Sequence, residues 1–392
     1  VILIISLLTF FIWVFFGGID VVSHGLFAAL SVLVVACPCA VGLATPVALA
    51  AGLNKAARNH ILIRDTSALE QMRNVDVVVF DKTGTLTEGH PTVIGWLWAQ
   101  GQEEHYKDVL LAAESTSDHP LAEAIVTALE GEEQVIPAHL DGFENITGKG
   151  VRVAYQGAEY WVGSHKLLKD YQANLSDILA DMLTQYESDG NSIVYFGREN
   201  DLLAVIAIKD QLRVTSMEAI RELRIQDIEI CMLTGDGERT ASSVAGSLGI
   251  MRFVADAMPD DKEDFIHKLQ LQGKTVAMVG DGVNDAQALS CADVSIAMGK
   301  GTDTLMDTAM ITLRTSDLLL LPKVFRLSRQ TVSLMYRNLF WAFIYNTVGI
   351  FVAAGVLYPV YDILLSPALA GAAMALSCVS VALSSLRLSS RF

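Results

Sequence analysis

Residues 75–85, VDVVVFDKTGT, set a run of β-branched and apolar residues against a carboxylate, Asp81, and a Thr-Gly-Thr turn. Such a run reads as a buried strand, and a strand that ends on Asp before a turn delivers that carboxylate to the rim of its sheet. Similar apolar runs occur at 202–208 (LLAVIAI), 228–233 (IEICML), 275–279 (TVAMV) and 293–297 (DVSIA), with helix-patterned stretches at 214–225, 239–248 and 261–272 between the later ones. Strands alternating with helices argue for a doubly wound parallel sheet, in which ligands bind outside the carboxyl ends of the strands. Asp81, Thr234-Gly235-Asp236 and Gly280-Asp281-Gly282 all fall at those ends, so three loops are expected to converge on one crevice.

Between the first strand and the rest, residues 90–199 have strand patterns of their own at 151–155, 159–163 and 192–196 and helix patterns at 105–115, 120–130 and 175–188. An insertion of that length is expected to be a second domain.

The flanks of this α/β part are of another kind. The chain has 392 residues, 52% of them hydrophobic and only 18% charged, which is too apolar for an ordinary soluble protein and places part of it in lipid. Segments 1–16, 26–53, 339–357 and 363–386 are the candidates for spanning helices. Lys55, Arg58 and Arg64 follow the second, Lys323, Arg326, Arg329 and Arg337 precede the third, and Arg387 and Arg391 follow the fourth. The connections 17–25 and 358–362 carry no Lys or Arg, so residues 54–338 are expected on the cytoplasmic side. A signal peptide over 1–16 is disfavoured by the missing basic flank and cleavage site. The chain opens at Val1 in mid-helix and is expected to be a fragment. Its formal net charge of −16 speaks against nucleic acid as a partner. Five scattered cysteines imply no disulfide framework.

A carboxylate can attack the γ-phosphate of ATP, provided that cations hold the charge of the transferring group. Asp81-Lys82-Thr83-Gly84-Thr85 resembles the phosphorylation signature of the P-type ATPases, and TGDG (234–237), MPDDK (258–262) and GDGVND (280–285) follow in that family's order. The resemblance, which covers the whole chain, implies an α/β haloacid-dehalogenase-like phosphorylation domain with an inserted α+β nucleotide-binding domain, plus α-helical transmembrane segments. On that reading 1–53 holds two membrane helices, 54–89 and 200–322 the phosphorylation domain, 90–199 the nucleotide domain and 323–392 two further membrane helices. The resemblance makes Asp81 the phosphorylated nucleophile and Lys262 the lysine facing the phosphate. Thr234 and Asp236 become phosphate-loop residues, and Asp281 with the Asp81 carboxylate and the Thr83 carbonyl would hold Mg²⁺. Gly237 and Gln287 stand where the family has Asn and Pro, which bears on rate more than on reaction type.

Within the insertion, Ser117-Asp118-His119-Pro120 resembles the SxHP motif of the heavy-metal subgroup, with Glu114 five residues earlier. Gly148-Lys149-Gly150 resembles its glycine pair. The resemblance implies that Glu114, His119, Gly148 and Gly150 contact ATP. Considered alone, His119 could simply cap the helix that Pro120 begins. Ser164 replaces the Asn of the family's other nucleotide loop.

Cys37-Pro38-Cys39 lies inside the second apolar segment. Pro38 lacks an N–H and loosens the helix, letting two sulfurs face one cavity, and thiolates select soft ions such as Cu⁺. Tyr345-Asn346 and Met374 followed by Ser377 resemble the subgroup's Cu⁺ signatures in its last two helices. Neither 339–357 nor 363–386 contains Asp, Glu, Lys or Arg, which suits a monovalent ion better than Zn²⁺. Ag⁺ fits the same donors. Phe351 replaces a Pro and Cys378 a Ser of the subgroup pattern; Cys378 either tightens the site or packs beside it.

The expected function is ATP-driven Cu⁺ (or Ag⁺) export by a bacterial plasma-membrane protein, with a Zn²⁺/Cd²⁺ pump or a membrane-tethered phosphatase of the same fold as alternatives. Expected partners are the lipid bilayer, the ion, a copper chaperone and an amino-terminal part of the same pump, since the family's TGE loop is missing from these residues.

Overall fold

The computed structural model describes all residues except 18–20, 100–102, 118, 133–134, 174–176, 281–284, 300–308, 362 and 391–392, together with all side chains but those of 17, 103–105, 177–181 and 389–390. The chain forms two compact units, 74–323 and the pair 1–73 with 324–392.

In the first of these, β-branched runs make a parallel sheet in the order Ile311–Leu313, Val294–Met298, Val276–Gly280, Val77–Asp81, Glu229–Leu233, Arg252–Val254. Every residue of Val77–Asp81 and of Val276–Gly280 is buried, as expected of strands covered on both faces. On one face Val77, Val79, Cys231, Leu233, Val276 and Met278 meet Ile266, Leu269, Ala288 and Leu289 from the helices Pro259–Leu271 and Ala286–Cys291. The register pairs Asp81 with Leu233 and Phe80 with Val279, so the ends of the three central strands lie level. The helix Glu238–Leu248 then stops at Gly249, whose φ of 68° reverses the chain; the Ile250 amide bonds back to the Ala245 carbonyl at 2.7 Å.

The insertion is an antiparallel sheet in the order Thr92–Trp98, Asp201–Lys209, Ser192–Arg198, Ala158–Gly163, Gly150–Tyr155, Gly142–Ile146. This corrects one expectation. The run at 202–208 belongs to the antiparallel sheet, so a boundary at 199/200 falls between two paired strands. The reason is that this sheet too is covered on both faces: Ala204, Ile206 and Ile208 pack with Val109, Leu110 and Ile125, while Leu202 and Val205 pack with Leu167 and Leu183. A strand buried on both faces loses its alternation and looks parallel in sequence.

The apolar unit is helical. The segment expected as one span over 26–53 is two helices, Val22–Val35 and Cys39–Arg58, parted at 36–38, where Pro38 has φ −86° and ψ 38°. Proline cannot supply the hydrogen bond that would carry the helix through. Ala40, Ala44, Ala48, Gly52 and Ala56, spaced by four, form the buried stripe of Cys39–Arg58. A Cβ on Gly52 would sit 2.6 Å from Thr331 Oγ1, so small residues let the neighbouring helix approach closely. The expected span 339–357 is, as far as Ala353, the last part of a 34-residue helix, Leu320–Ala353, and the expected span 363–386 is helical only from Pro367, in Pro367–Ser390. Among the described residues two helical stretches are long and apolar enough to cross a membrane, Val22–Arg58 and Pro367–Leu388, and Ile2–Phe16 is apolar but shorter.

Candidate functional site

The level strand ends gather the charged residues of the parallel sheet. Asp81 leaves its strand only 6% exposed, and Lys262, from the first turn of Pro259–Leu271, places Nζ 2.6 Å from Asp81 Oδ1 and 2.7 Å from Asp285 Oδ1. Burial works against the Lys262 charge, but the Asp81 and Asp285 carboxylates together hold its pKa above the ordinary lysine value. Lys82 turns the other way, 2.5 Å from Asp236 and 3.0 Å from Ser192 Oγ of the antiparallel sheet. Burial disfavours the Asp236 carboxylate, yet Lys82 prevails and its pKa is lowered. The Thr234 hydroxyl donates to Asp236 at 2.8 Å and accepts from its amide at 3.1 Å, closing the loop.

The turn after Asp81 is locked from below. Gly84 has φ 72°, a conformation for which glycine is suited. Arg213 donates to the carbonyls of Gly84 and, at 2.9 Å, of Thr85, while Thr87 Oγ1 accepts from the Gly84 amide at 2.9 Å. Of the residues expected to hold Mg²⁺, Asp281 lies outside the described residues. Asp81 and the Thr83 carbonyl are hard oxygen donors, and one is anionic, which fits that ion.

In the insertion the helices Glu103–Glu114 and Pro120–Glu130 form a hairpin whose connecting residues lie between Glu114 and His119. Glu114 is 6% exposed, and burial raises its pKa to about 7. His119 does cap its helix, Nδ1 accepting from the Leu121 amide at 3.2 Å, which leaves the proton on Nε2. His119 is exposed, yet desolvation of its imidazole lowers its pKa, with Lys82 and Lys262 acting in the same direction and Asp236 and Asp81 opposing them. The capping role and a place near the phosphorylation residues therefore coexist. The glycines have steric reasons of their own: a Cβ on Gly150 would lie 2.1 Å from the Val162 carbonyl oxygen, and one on Gly163 2.2 Å from that of Lys149. Gly148, at φ 69°, lies against Met258 and Pro259 of the phosphorylation motif. Ser164 Oγ is buried with no hydrogen-bond partner among the described residues.

In the apolar unit the Pro38 break brings the Cys37 and Cys39 sulfurs to 2.8 Å, both exposed. Cys378 packs with Ala40, Ala44, Ala342 and Val381, which puts it beside this break. Ser377 is buried and its Oγ has no hydrogen-bond partner among the described residues; Met374, one turn earlier, and Asn346, one turn beyond Ala342, are half-buried. Tyr345 is not gathered in: its ring stacks on Trp341 at 5.8 Å and it is 47% exposed. Asn338, seven residues before Tyr345 on the same helix, is buried and donates to Ser385 Oγ at 3.0 Å. Asp285 and Ser192 were likewise undervalued. Asp285 sits in a recognisable motif, whereas nothing around Ser192 announces its contact with Lys82.

A parallel sheet with a buried Asp at its central strand end, a lysine against it and Thr-Gly-Asp beside it defines the haloacid dehalogenase-like hydrolases, and the model of that family matches residues 75–293. The chain belongs to that family and, within it, to the heavy-metal P-type ATPases. It is 43% identical, over 99% of its length and 52% of the relative's, to the copper-exporting P-type ATPase of Legionella pneumophila. To the silver-exporting P-type ATPase of Salmonella typhimurium it is 44% identical, over 99% of this chain and 47% of that one. A crystal structure of a zinc-transporting PIB-type ATPase in an E2.Pi state aligns with TM-score 0.70 and 32% identity, over 99% of this chain and 62% of that one. The chain spans about half the length of the curated relatives it matches.

Proposed function

We propose that this chain carries the phosphorylation and ion-binding machinery of an ATP-driven exporter of Cu⁺ or Ag⁺. The carrying observation is the buried Asp81 carboxylate held 2.6 Å from Lys262 at the end of the central strand. Asp81 Oδ attacks the γ-phosphorus of ATP; the new O–P bond forms as the bond to the bridging oxygen breaks, and ADP leaves. Lys262 offsets the negative charge that gathers at the transferring group, and Thr234 and Asp236, clamped by Lys82, shape the loop that receives it. Asp81, Thr83 and Asp281 would hold Mg²⁺, which supplies further charge neutralisation at the phosphates. The insertion binds the nucleotide through Glu114, His119 and the turn at Gly148 and Gly150.

In the membrane the ion is taken by Cys37 and Cys39, with Cys378, Met374, Ser377 and Asn346 as further donors. Two sulfurs beside neutral partners suit a soft monovalent ion. The exporters named for copper and silver among the relatives support this reading, and the zinc-transporting relative supports a divalent alternative. Against the alternative stands the lack of any carboxylate in 339–357 and 363–386. We place the protein in a bacterial plasma membrane with 54–338 in the cytoplasm, and a copper chaperone would deliver its ion.

The test is incorporation of labelled phosphate from ATP in the presence of Cu⁺, Ag⁺ or Zn²⁺. Acid-stable label that rises with Cu⁺ and Ag⁺ and vanishes in Asp81→Asn is expected. Undiminished labelling of Asp81→Asn, or stimulation by Zn²⁺ alone, overturns the reaction or the ion assignment respectively.

A further inference from the structure

On the helix that carries Lys262, three ligand-type side chains outside the catalytic set converge. Glu263 and His267 are four residues apart on Pro259–Leu271 and share a face. Cys291 ends the helix Ala286–Cys291, which packs on the first through Ile266, Leu269, Ala288 and Leu289. One donor atom from each of Glu263, His267 and Cys291 lies within 4.8 Å of the others, and His267 Nε2 is 3.5 Å from Glu263 Oε1.

The amide of Gln270 decides what the imidazole offers. Its Nε2 donates to the Cys291 carbonyl at 2.9 Å, so its Oε1 is the atom 3.1 Å from His267 Nδ1. An amide oxygen can only accept. Nδ1 therefore carries a proton, and in the neutral ring the lone pair sits on Nε2, the nitrogen nearer the carboxylate. Two acceptors 3.5 Å apart repel, and although the Cys291 thiol hydrogen-bonds the Glu263 carboxylate, a cation among the three donors relieves that repulsion. A proton would serve, giving an imidazolium–carboxylate pair on a helix face where His267 is 50% exposed. Two features go beyond that reading. The third donor is a thiol, and the histidine is oriented by an amide that is itself tied to the third donor's backbone, the outer-shell arrangement found around metal ligands. The N–O distance also matches the roughly 3.3 Å separating two ligands about 2.05 Å from a tetrahedral ion.

We infer that Glu263, His267 and Cys291 form a site for a borderline divalent cation, Zn²⁺ above all, with a fourth position open to water. A carboxylate, an imidazole and a thiolate are a mixed donor set that suits Zn²⁺ and is too hard for a Cu⁺ site. Binding replaces the S–H bond by an S–metal bond and releases that proton to solvent. An ion there would pin the helix bearing Lys262 to the helix that follows Asp285, so its occupancy reports on, and restrains, the two residues that contact each other across the crevice.

The site is read with Co²⁺ as the probe, on the detergent-purified chain carrying Cys37→Ser, Cys39→Ser and Cys378→Ser so that the membrane thiols are silent. One equivalent of Co²⁺ with a thiolate-to-metal charge-transfer band, displaced by Zn²⁺, is expected. Cys291→Ser should abolish the band, and Gln270→Leu should weaken binding by about tenfold or more. A band that is absent, or that survives Cys291→Ser, overturns the inference. If Cys291→Ser melts below its parent without metal, His267→Gln on the solvated face takes its place: a loss of affinity of about tenfold or more sustains the site, and unchanged affinity overturns it. These readouts use no ATP and no transport, so they stand or fall apart from the exporter reading.

Discussion

The catalytic crevice and the cysteine site solve opposite electrostatic problems. Among the described residues of the crevice the charges named above are already paired: Lys262 with Asp81 and Asp285 at 2.6 and 2.7 Å, Lys82 with Asp236 at 2.5 Å. The protein has fixed the field that a phosphoryl group will meet, so little reorganisation is needed when charge moves. In the apolar unit the proposed donors are neutral and under-used, with Ser377 Oγ buried without a partner among the described residues and the two cysteine sulfurs exposed at a helix break. Leaving a buried hydroxyl unpaired costs about 1–3 kcal/mol, which an arriving cation can return. On the proposed function, the described part of one region is set before its ligand comes, and the other is completed by it.

The contrast breaks first at Lys262. Removing its charge leaves Asp81 and Asp285 facing one another in a buried place, and loss of one partner of such a pair destabilises by about 3–5 kcal/mol. Lys262→Met should cut the rate of phosphoenzyme formation by about 100-fold or more and lower the melting temperature. Adding Asp285→Asn should recover part of the stability and none of the rate. Both are measurable by labelled-ATP uptake and thermal melts; recovery of the rate would show that Lys262 only neutralises Asp285.

At the other region the expected loss is in binding. Cys37→Ser or Cys39→Ser replaces a soft donor by a hard one and should reduce Cu⁺ retention against a chelator by about 100-fold or more, with phosphorylation by inorganic phosphate as the control for an intact crevice. Cys378→Ser should cost less than tenfold, because Cys378 sits at the edge of the packed cluster around Ala40 and Ala342. If Cys378→Ser equals Cys37→Ser, the sulfur at 378 is a principal donor.

The asymmetry between the two regions also governs what could be read from sequence. Charged motifs at strand ends were legible, because Asp81, Thr234 and Lys262 each follow an apolar run or a proline that marks the end of an element. The strand at 202–208 was misplaced because burial on both faces erases the alternation that tells sheets apart, and Thr92–Trp98, with an inner glycine and two tryptophans, did not read as a strand. Ser192 could not be seen, since its role depends on Lys82 reaching it across 110 positions. In the membrane part Cys-Pro-Cys was legible as a break by the chemistry of proline, whereas the outward turn of Tyr345 depends on how its helix is rotated, which local sequence does not encode.

Glu114 offers a smaller effect. Burial lifts its carboxyl from 4.5 to about 7, so the folded chain holds a proton there that the unfolded chain has released. Its contribution to stability is fully present below pH 4.5 and is lost as pH rises through about 7. Glu114→Gln should flatten the pH dependence of unfolding in that window and shift ATP affinity only a few-fold at pH 6, when the native group is mostly protonated. Urea unfolding between pH 5 and 8 checks the slope; a slope unchanged by the mutation would show that the carboxyl titrates elsewhere.

The smallest effect is expected at Tyr345, and it separates family resemblance from the geometry seen here. The resemblance places its phenol among the ion's donors. In the structure the ring lies along Trp341 at an interplanar angle of 28° and is nearly half exposed, while Asn338 and Ala342 form the buried row of the same helix and half-buried Asn346 continues it at the same four-residue spacing. A phenol on the outer flank keeps its ring contacts when the hydroxyl is removed, so Tyr345→Phe should leave Cu⁺ affinity within about twofold, whereas Asn346→Ala removes an amide on the buried row and should weaken it by about tenfold. Competition with a chromogenic Cu⁺ chelator resolves both. A tenfold loss in Tyr345→Phe would require the helix to turn the phenol inward when the ion binds, and the apolar unit would then be a region that rearranges around its cargo rather than one that waits with its donors already in place.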